Sequence, residues 1–528
     1  MHRTTTGTHP SLWVETSPLT SFPKLTTDLE VDVAIVGGGI AGVTAAAQLR
    51  RAGASVAIVD AGRIGEGETG NTSAHLATHH DLYYRDTISR FGLEGATLAA
   101  QSRMAAIDTI EAFSRSLSIP CSFERVPAYL YTDRDEDVES LYAEEEACRR
   151  VGVACSFVSE VPLPFQTVGA LRFDRQAQFH PRRYLLALLH SLIGPRCRVF
   201  ESTRVHQVES GSPCRVVTSG NVITAKQVIV ATNVPINNRV FLITKLASYR
   251  SYVIGARVPA SFAARALFWD TLDPYHYVRM HALDDGMSLL IVGGEDHKTG
   301  TEDDPKACFS RLEEWTRARF PVTSIDHRWS GQIVEPADGL PYIGHNALES
   351  NVFVATGFSG DGLTNGTLAG VLLADQILGR DNPWGALYAA TRVKPLASVK
   401  EFVSENVDFP AHFVGDLFKS PQARSVDEVH PGDGKLVRVG SKRLAVYREP
   451  NGALHAFSPA CPHMGCFVKF NGAEKSWDCP CHGSRFACDS GQVLNGPATH
   501  GLAPRELDES PRPSRISTAP RDSRDSII

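Results

Sequence analysis

The N-terminal part of the chain contains two short apolar runs separated by a longer mixed segment. Residues 31–36 and residues 55–60 each form an apolar run of strand length, and residues 43–51 between them have a helical pattern. A strand, a helix and a second strand in this order are typical of a βαβ unit with parallel strands. The pattern therefore predicts an α/β fold at this end of the chain.

A glycine-rich motif follows the first apolar run. Gly37, Gly39 and Gly42 form the pattern G-x-G-x-x-G between strand and helix. The first glycine allows a tight turn, the second lets the backbone approach a pyrophosphate, and the third lets helix and strand pack closely. The helix presents its positive end to the phosphates, and Asp60 ends the second strand, where an acid can bind ribose hydroxyls. We expect a Rossmann-type dinucleotide site, for FAD or for NAD.

The remaining patterns are helical in the middle and strand-like later. Residues 248–295 are strand-rich, and residues 432–449 alternate like two hairpin strands. The dipeptide Asn451-Gly452 favours a tight turn before a further strand at 453–457. We therefore expect a small antiparallel β-domain near the C terminus. Helices are predicted at 98–116, 133–150 and 366–378.

Cysteine and histidine occur together twice in this β-domain. Cys461-x-His463 and Cys479-x2-His482 are separated by fifteen residues, and each contains one residue of each kind. A [2Fe–2S] cluster held by two cysteines on one iron and two histidines on the other needs this mixture. A structural zinc site also takes two cysteines and two histidines, but zinc fingers usually place the cysteines in one knuckle and the histidines in another. We favour the iron–sulfur cluster.

These two motifs resemble the Rieske iron–sulfur family. Each carries a second cysteine, and the resemblance implies a disulfide between Cys466 and Cys481 that links the ligand loops. It also implies that Ser484 donates a hydrogen bond to a bridging sulfide. High-potential relatives have a tyrosine two positions later, where this chain has Phe486. Because hydrogen bonds to the sulfurs tune the potential, we expect a midpoint below those relatives, within the Rieske range of about −150 to +300 mV, and above most Rieske ferredoxins.

Residues 31–380 resemble the D-amino-acid oxidase/glycine oxidase (DAO) family. A small-residue loop at 65–75, a returning strand at 227–232 and a glycine turn with a following helix at 338–366 match that family in order. The resemblance implies FAD as the cofactor and an antiparallel sheet over the flavin. Besides the glycine motif and Asp60, the residues it implies for FAD binding are Thr69, Gly70, Thr72, Gly357, Gly360, Asp361, Gly362 and Thr364.

The catalytic residues are not identified by the sequence. Tyr252, Tyr277 and Arg279 are candidates for the substrate cavity because they lie in the strands expected above the flavin, although they could equally face solvent or pack between sheets. Amino-acid oxidases of the family hold the substrate carboxylate with an arginine shortly after the segment equivalent to 329–331, and this chain has none there. This departure favours an amine over an α-amino acid, with Arg250 or Arg279 as alternative carboxylate partners.

Two histidine patterns have competing interpretations. The first pattern consists of Asp273, His276 and His281. It resembles the mononuclear iron motif of Rieske oxygenases. A proline interrupts it, however, and those enzymes carry the cluster domain first, so we expect no iron there. The second pattern consists of His75, His79 and His80, at and after the end of the small-residue loop at 65–75, hereafter the flavin loop. Some relatives attach FAD covalently in this region, but the register differs and we expect no covalent bond.

Composition and charge exclude some classes of partner. The chain has 528 residues, of which 42% are hydrophobic and 21% charged, as in ordinary globular proteins of two or three domains. A net charge of −6 gives no reason to expect nucleic acid. Residues 1–27 lack the apolar core of a signal peptide, and no stretch has the roughly 20 apolar residues of a membrane span. We expect a cytoplasmic protein without a transmembrane segment.

The motifs divide the chain into five regions. Within the flavoprotein, FAD-binding parts are expected at about 31–90, 180–235 and 332–385, and a substrate domain at about 91–180 and 236–331. The regions are an N-terminal extension at 1–30, a DAO-type flavoprotein at 31–385, a connector at 386–425, a Rieske domain at 426–507 and a disordered tail at 508–528.

This order predicts an FAD-dependent dehydrogenase that oxidises a C–N bond of an amine or amino acid by hydride transfer to the flavin. Electrons would then pass singly through the cluster to an external acceptor. One alternative is a reductase that carries electrons from NAD(P)H to the cluster, but Gly293-Gly294 lacks the third glycine and the helix of a second nucleotide fingerprint. The other is a non-catalytic electron-transfer module, which the complete set of flavin motifs disfavours.

Overall fold

The computed structural model describes residues 9–79, 81–237, 242–262, 264–283, 286–392 and 422–507. The helices are α1 (Leu12–Glu15), α2 (Ile40–Arg51), α3 (Tyr84–Ser116), α4 (Val138–Val151), α5 (Pro181–His190), α6 (Pro305–Arg319), α7 (Gly362–Ile377) and α8 (Gly385–Tyr388). The strands are β1 (Leu29–Val36), β2 (Val56–Val59), β3 (His75–Leu76), β4 (Glu124–Thr132), β5 (Cys155–Val158), β6 (Gly169–Gln178), β7 (Cys197–Phe200), β8 (Val205–Glu209), β9 (Cys214–Thr218), β10 (Val222–Val230), β11 (Leu246–Pro259), β12 (Leu267–Asp270), β13 (Tyr277–Ala282), β14 (Met287–Lys298), β15 (Ser324–Pro336), β16 (Tyr342–His345), β17 (Val352–Thr356), β18 (Gly434–Val439), β19 (Lys442–Arg448), β20 (Leu454–Phe457), β21 (Lys469–Asn471), β22 (Ser476–Asp478), β23 (Arg485–Ala487) and β24 (Val493–Asn495).

The first sheet contains the predicted βαβ unit, β1–α2–β2. Its strand order is β16-β17-β10-β1-β2-β7, with the hairpin β8–β9 beside β10. The pairs around β1 are parallel, and Val33 lies opposite Val56 in the β1–β2 pair. The inner strands are nearly continuous apolar runs because both faces of a parallel sheet are covered. On one face, α2 and α7 pack against each other and the sheet.

The second sheet is larger and mostly antiparallel. Its strand order is β15-β11-β14-β13-β12-β4-β6-β3, with β5 beside β6. The strands predicted from residues 248–295 lie at its centre. Leu312 of α6 is buried with residues of β11 and β14, so one face of the sheet is covered by this helix. The predicted combination of a Rossmann-type sheet with an antiparallel-sheet substrate domain is confirmed.

The C-terminal domain is small and antiparallel. It consists of the sheet β18-β19-β20 and the sheet β21-β22-β23-β24. The predicted turn at Asn451-Gly452 joins β19 to β20, where Tyr447 lies opposite His455. Trp477 and Phe486 face each other across β22 and β23 and are fully buried, which gives this domain its own core. The all-β prediction for this region is confirmed.

The predicted helices occur with different bounds. The helix predicted at 98–116 lies within α3, which starts earlier and is interrupted at Gly92, where φ is +75°. The helix predicted at 133–150 begins as a 3₁₀ turn, Asp135–Asp137, before α4. Most of the connector and the whole tail predicted at 508–528 lie outside the described residues. Among the helices that the structure describes, none is both long and apolar enough to cross a bilayer.

Candidate active site and cluster loops

A cavity of about 740 Å³ lies where the two sheets and the C-terminal domain meet. Its walls come from the β1–α2 turn, the loop around 65–73, part of β15, the start of α7 and residues between 487 and 499. The volume falls within the roughly 300–1,000 Å³ typical of small-molecule sites. The position of this cavity at the carboxyl ends of β1 and β2 is the usual ligand position in open α/β sheets.

The glycine motif forms one end of the cavity. Gly37 has φ of +112°, and a Cβ atom there would lie 2.3 Å from the carbonyl oxygen of Ala231. A Cβ at Gly42 would lie 2.1 Å from the carbonyl oxygen of Gly37, so the helix packs on the turn only because Gly42 lacks a side chain. Gly39 caps α2 and lines the cavity, which directs the positive end of the helix toward a bound anion.

Asp60 and Thr69 hold the backbone at this end. The Asp60 carboxylate accepts hydrogen bonds from the backbone N–H groups of Gly38 at 2.9 Å and Gly62 at 2.8 Å. Burial nevertheless raises the pKa of Asp60. The Thr69 hydroxyl accepts a hydrogen bond from the Ile40 N–H at 3.0 Å, in the first turn of α2.

The start of α7 forms the opposite end. Asp361 pairs with Arg103 at 2.8 Å, yet burial raises the pKa of Asp361 to about 6. The Asp81 carboxylate accepts hydrogen bonds from the Gly360 N–H at 2.8 Å and the Tyr275 hydroxyl at 3.1 Å. This end therefore combines the positive terminus of a helix with two carboxylates.

The residues predicted to bind FAD divide into two groups. One group lines the cavity directly: Gly37, Gly39, Asp60, Thr69, Thr72, Gly360, Asp361 and Gly362. The other group lies behind the lining and shapes the turns that carry it: Gly42, Gly70, Gly357 and Thr364.

The three candidates for the substrate cavity are separated by the fold. Tyr277 lines the cavity, with its hydroxyl 2.8 Å from that of Ser251. Tyr252 follows Ser251 in β11, so it faces the other side of the sheet and is buried with the cluster under α6. Arg279 is also buried away from the lining and donates to the carbonyl oxygen of Ala74 at 2.7 Å.

A contact missed by the sequence analysis supports the flavin loop. The Ser11 hydroxyl donates to the carbonyl oxygen of Gly70, and the Trp13 indole N–H donates to that of Thr72 at 2.6 Å. Trp13 is fully buried, in the short helix α1. The N-terminal segment is therefore part of the cavity wall's support. The only sequence signal for this contact was a single tryptophan in a polar stretch.

The four predicted cluster ligands form two pairs in the C-terminal domain. The side chains of Cys461 and Cys479 contact each other and are buried. The rings of His463 and His482 lie side by side, with centroids 5.0 Å apart. Burial lowers the pKa of His482 to about 4, which keeps its imidazole in the neutral form that binds a metal.

The second pair of cysteines joins the two loops. Cys466 and Cys481 form a disulfide, as the resemblance implied. Their sulfur atoms and that of Cys479 lie within 4.8 Å of one another, so the disulfide packs against a ligand thiol. The side chain of Ser484 contacts Cys461 and accepts a hydrogen bond from the Ala498 N–H at 3.1 Å.

Two family profiles match the chain. The profile described as "FAD dependent oxidoreductase" (DAO) matches residues 32–376, and the one described as "Rieske [2Fe-2S] domain" matches residues 420–506. The chain belongs to the DAO family of FAD-dependent oxidoreductases. Its second domain is a Rieske domain.

Individual proteins resemble the chain over different lengths. A "putative Rieske 2Fe-2S iron-sulfur protein" of Bacillus subtilis is 32% identical and covers 94% of this chain and 97% of its own. The γ-glutamylputrescine oxidoreductase of Escherichia coli is 25% identical and covers 68% of this chain and 86% of its own. The crystal structure of glycine oxidase from Geobacillus kaustophilus has a TM-score of 0.58 and 19% identity, and covers 69% of this chain and 99% of that one. The last comparison shows a shared fold.

The residues present fit the two cofactors of a Rieske-containing DAO protein, FAD and a [2Fe–2S] cluster. The turn at Gly37 to Gly42 has no side chains that would obstruct a pyrophosphate, and the cavity continues from Asp60 to Asp361. In the Rieske domain, two thiols lie in contact and two imidazoles lie side by side, which supplies the residue types of the mixed ligand set.

The two other histidine patterns differ in their position relative to the cavity. His276 is within 2.9 Å of the Asp270 carboxylate, whereas His281 lies against Trp13. Among the described residues, no metal-binding cluster forms around this motif.

His75 lines the cavity with its Nδ1 2.9 Å from the Ser73 hydroxyl, and burial lowers the pKa of His75 to about 3. His79 also lines the cavity, with its Nε2 3.1 Å from the Glu144 carboxylate, and His80 is outside the described residues.

The loop that carries two of the predicted cluster ligands, Cys479 and His482, lies against the cavity wall. The side-chain N–H of Gln332 donates to the carbonyl oxygen of Gly483 at 2.7 Å, and Gln332 also lines the cavity. The Ser248 hydroxyl is 3.4 Å from the carbonyl oxygen of His482. Gly483 has φ of +75°, and a Cβ atom there would lie 2.3 Å from the Ser248 Cβ. Only glycine allows this contact between the domains.

Arg250, an alternative carboxylate partner in the sequence analysis, lies at the same interface. It is fully buried and donates to the hydroxyl of Ser330, which in turn donates to Glu474 of the Rieske domain at 2.5 Å. Burial lowers the pKa of Arg250. Its side chain is therefore directed toward the domain interface and does not line the cavity.

The α1 contact predicts an effect of a conservative substitution. Trp13→Phe keeps an aromatic ring but removes the donor to Thr72, leaving a partly buried carbonyl without that bond. A loss of about 1–3 kcal/mol in the free energy of unfolding is expected, together with weaker retention of FAD. Thermal unfolding and flavin fluorescence measure both. Trp384→Phe is the matched control, because the Trp384 N–H has no hydrogen-bond partner among the described residues.

The cluster environment predicts a change of potential. Phe486→Tyr adds a hydroxyl that can donate to a ligand sulfur, which stabilises the reduced cluster. The midpoint should rise by tens of millivolts, since about 59 mV corresponds to a tenfold change for one electron. Redox titration followed by EPR measures it, with Phe470→Tyr in the same domain as the control. No rise in the Phe486→Tyr midpoint would contradict this assignment.

Proposed function

We propose that this chain is a dehydrogenase that oxidises a C–N bond of an amine or amino acid and passes the electrons singly through the Rieske cluster to an external acceptor. The contact between Gln332 and Gly483 carries this proposal. Gln332 lines the cavity, and Gly483 follows the ligand His482 directly. The loop that carries His482 thus lies against the wall of the flavin cavity, so the path for electrons from flavin to cluster is short.

When bound, FAD would supply a hydride acceptor for the oxidised carbon, and the cluster would supply a one-electron acceptor. The protein has to orient the substrate and exclude water. Tyr277 is held by Ser251 and Tyr275 by Asp81, so both rings have fixed positions in the cavity wall. Trp269 adds a further aromatic surface.

The charges at this end of the cavity favour an amine without a carboxylate beside the reacting carbon. Asp81 and Asp361 line it; Arg103 pairs with Asp361 from behind the lining, and within the described residues the lining here contains no arginine or lysine. Arg204 lines the other end, near Asp60. An ammonium group gains from nearby carboxylates and aromatic faces, whereas a substrate carboxylate would be repelled. The similarity to an oxidoreductase named for γ-glutamylputrescine supports the same substrate class.

A reductase fed by NAD(P)H is less well supported. Such an enzyme needs a second nucleotide-binding βαβ unit. The described strands contain one mainly parallel sheet, and the Gly293-Gly294 sequence lies inside antiparallel β14.

Anaerobic mixing tests the direction of electron flow and the substrate class. Amines without an α-carboxylate should bleach the flavin absorbance, α-amino acids should do so more slowly, and NADH should leave it unchanged. Rapid bleaching by NADH, with no response to any amine, would support the reductase instead.

A ligand variant tests the relay. His463→Ala should still show flavin bleaching by the active amine but should lose most turnover with one-electron acceptors, because the electrons no longer have a cluster to enter. Stopped-flow absorbance and steady-state assays separate the two steps. His430→Ala, an exposed histidine of the same domain, is the control. Full turnover of the His463→Ala variant with every acceptor would refute the relay.

A further inference from the structure

The Rieske domain forms part of the cavity wall. The residues involved lie between 487 and 499, hereafter the closing segment, which includes β24. The Arg204 guanidinium donates to the carbonyl oxygen of Val493 in this segment at 2.8 Å. Arg204 itself lines the cavity and lies close enough to Asp60 for their charges to interact. The closing segment therefore lies at the nucleotide end of the cavity.

A second contact fixes the closing segment to the flavin loop. The Asn495 side-chain N–H donates to the Glu68 carboxylate at 2.9 Å, while Arg485 donates to the side-chain oxygen of Asn495 at 3.2 Å. Glu68 also accepts the backbone N–H of Gln332 at 2.6 Å. Glu68 and Asn495 both line the cavity, so this hydrogen-bonded chain crosses the boundary between the domains at the cavity wall.

We propose that the closing segment is part of the FAD-binding site and that the Rieske domain retains the cofactor. FAD held by Gly37, Gly39 and Asp60 is then covered by a wall that belongs to another domain. It can leave only when the contacts at Arg204 and Glu68 separate. The Rieske domain thus has a second role, in cofactor binding, that does not depend on electron transfer or on the substrate.

Hydrogen–deuterium exchange on the full-length protein tests the proposal without a substitution. Removal of FAD should increase exchange in residues 487–499, because they lose a ligand that they cover. The hairpin at 434–457 in the same domain serves as the internal reference, since it does not line the cavity. Equal exchange of 487–499 with and without FAD would overturn the proposal.

Two variants test it from opposite sides of the domain boundary. Asn495→Ala removes the contact with Glu68, and Arg204→Met removes the donor to Val493 while keeping side-chain length. Each should speed FAD release, followed by the fluorescence of free flavin, by about tenfold or more, because hydrogen bonds to charged groups are lost. The EPR spectrum of the cluster reports that the Rieske domain remains folded.

Asn451→Ala, in the exposed β19–β20 turn, is the matched control and should release FAD at the wild-type rate. Wild-type release rates in both Asn495→Ala and Arg204→Met, with the cluster spectrum intact, would refute the proposal. If one variant loses its cluster signal, the other decides together with the exchange measurement.

Discussion

The arrangement of the two cofactor sites depends on the absence of a side chain at Gly483. This residue has a left-handed backbone conformation and lies so close to Ser248 and Gln332 that a Cβ atom would overlap both. Any other residue would combine backbone strain with a steric clash. The ligand loop is consequently fixed against two strands of the flavoprotein, and strands hold a geometry more rigidly than a flexible tether does. A fixed separation between redox centres follows from this one contact.

Buried charges make the same interface specific. Arg250 of the flavoprotein is connected through Ser330 to Glu474 of the Rieske domain, and next to this contact Asp478 pairs with Arg485 at 3.1 Å within the Rieske domain, all away from solvent. Burying ions costs desolvation energy that their attraction does not always offset, so such a network is weak support for stability. It does raise the free energy of every orientation of the Rieske domain that leaves a buried charge without its partner. We interpret the network as a device that selects one orientation of the Rieske domain.

Local motifs were predictable from the sequence, and long-range contacts were not. Gly37, Gly42 and the cluster ligands follow rules of spacing that operate within a few residues, so their roles could be inferred without a fold. Whether a residue of β11 faces the cavity depends instead on strand register. The β11–β14 pairing shifts between Arg250 and Tyr252, and a shift of one residue exchanges the two faces. The contact of Trp13 with the flavin loop had no periodic signal, since it joins residues far apart in the chain.

The cavity wall has a consequence for how the protein is made. Its support begins at Ser11 and its last lining residue is Thr499, so the pocket draws on nearly the whole described chain. A ribosome would have released almost all of this sequence before the wall could close. The nucleotide-binding strands can form early, but a cofactor bound at that stage would remain open to solvent on one side. Flavin loading would therefore be completed only after translation, and maturation of the iron–sulfur domain and capture of the flavin become linked events.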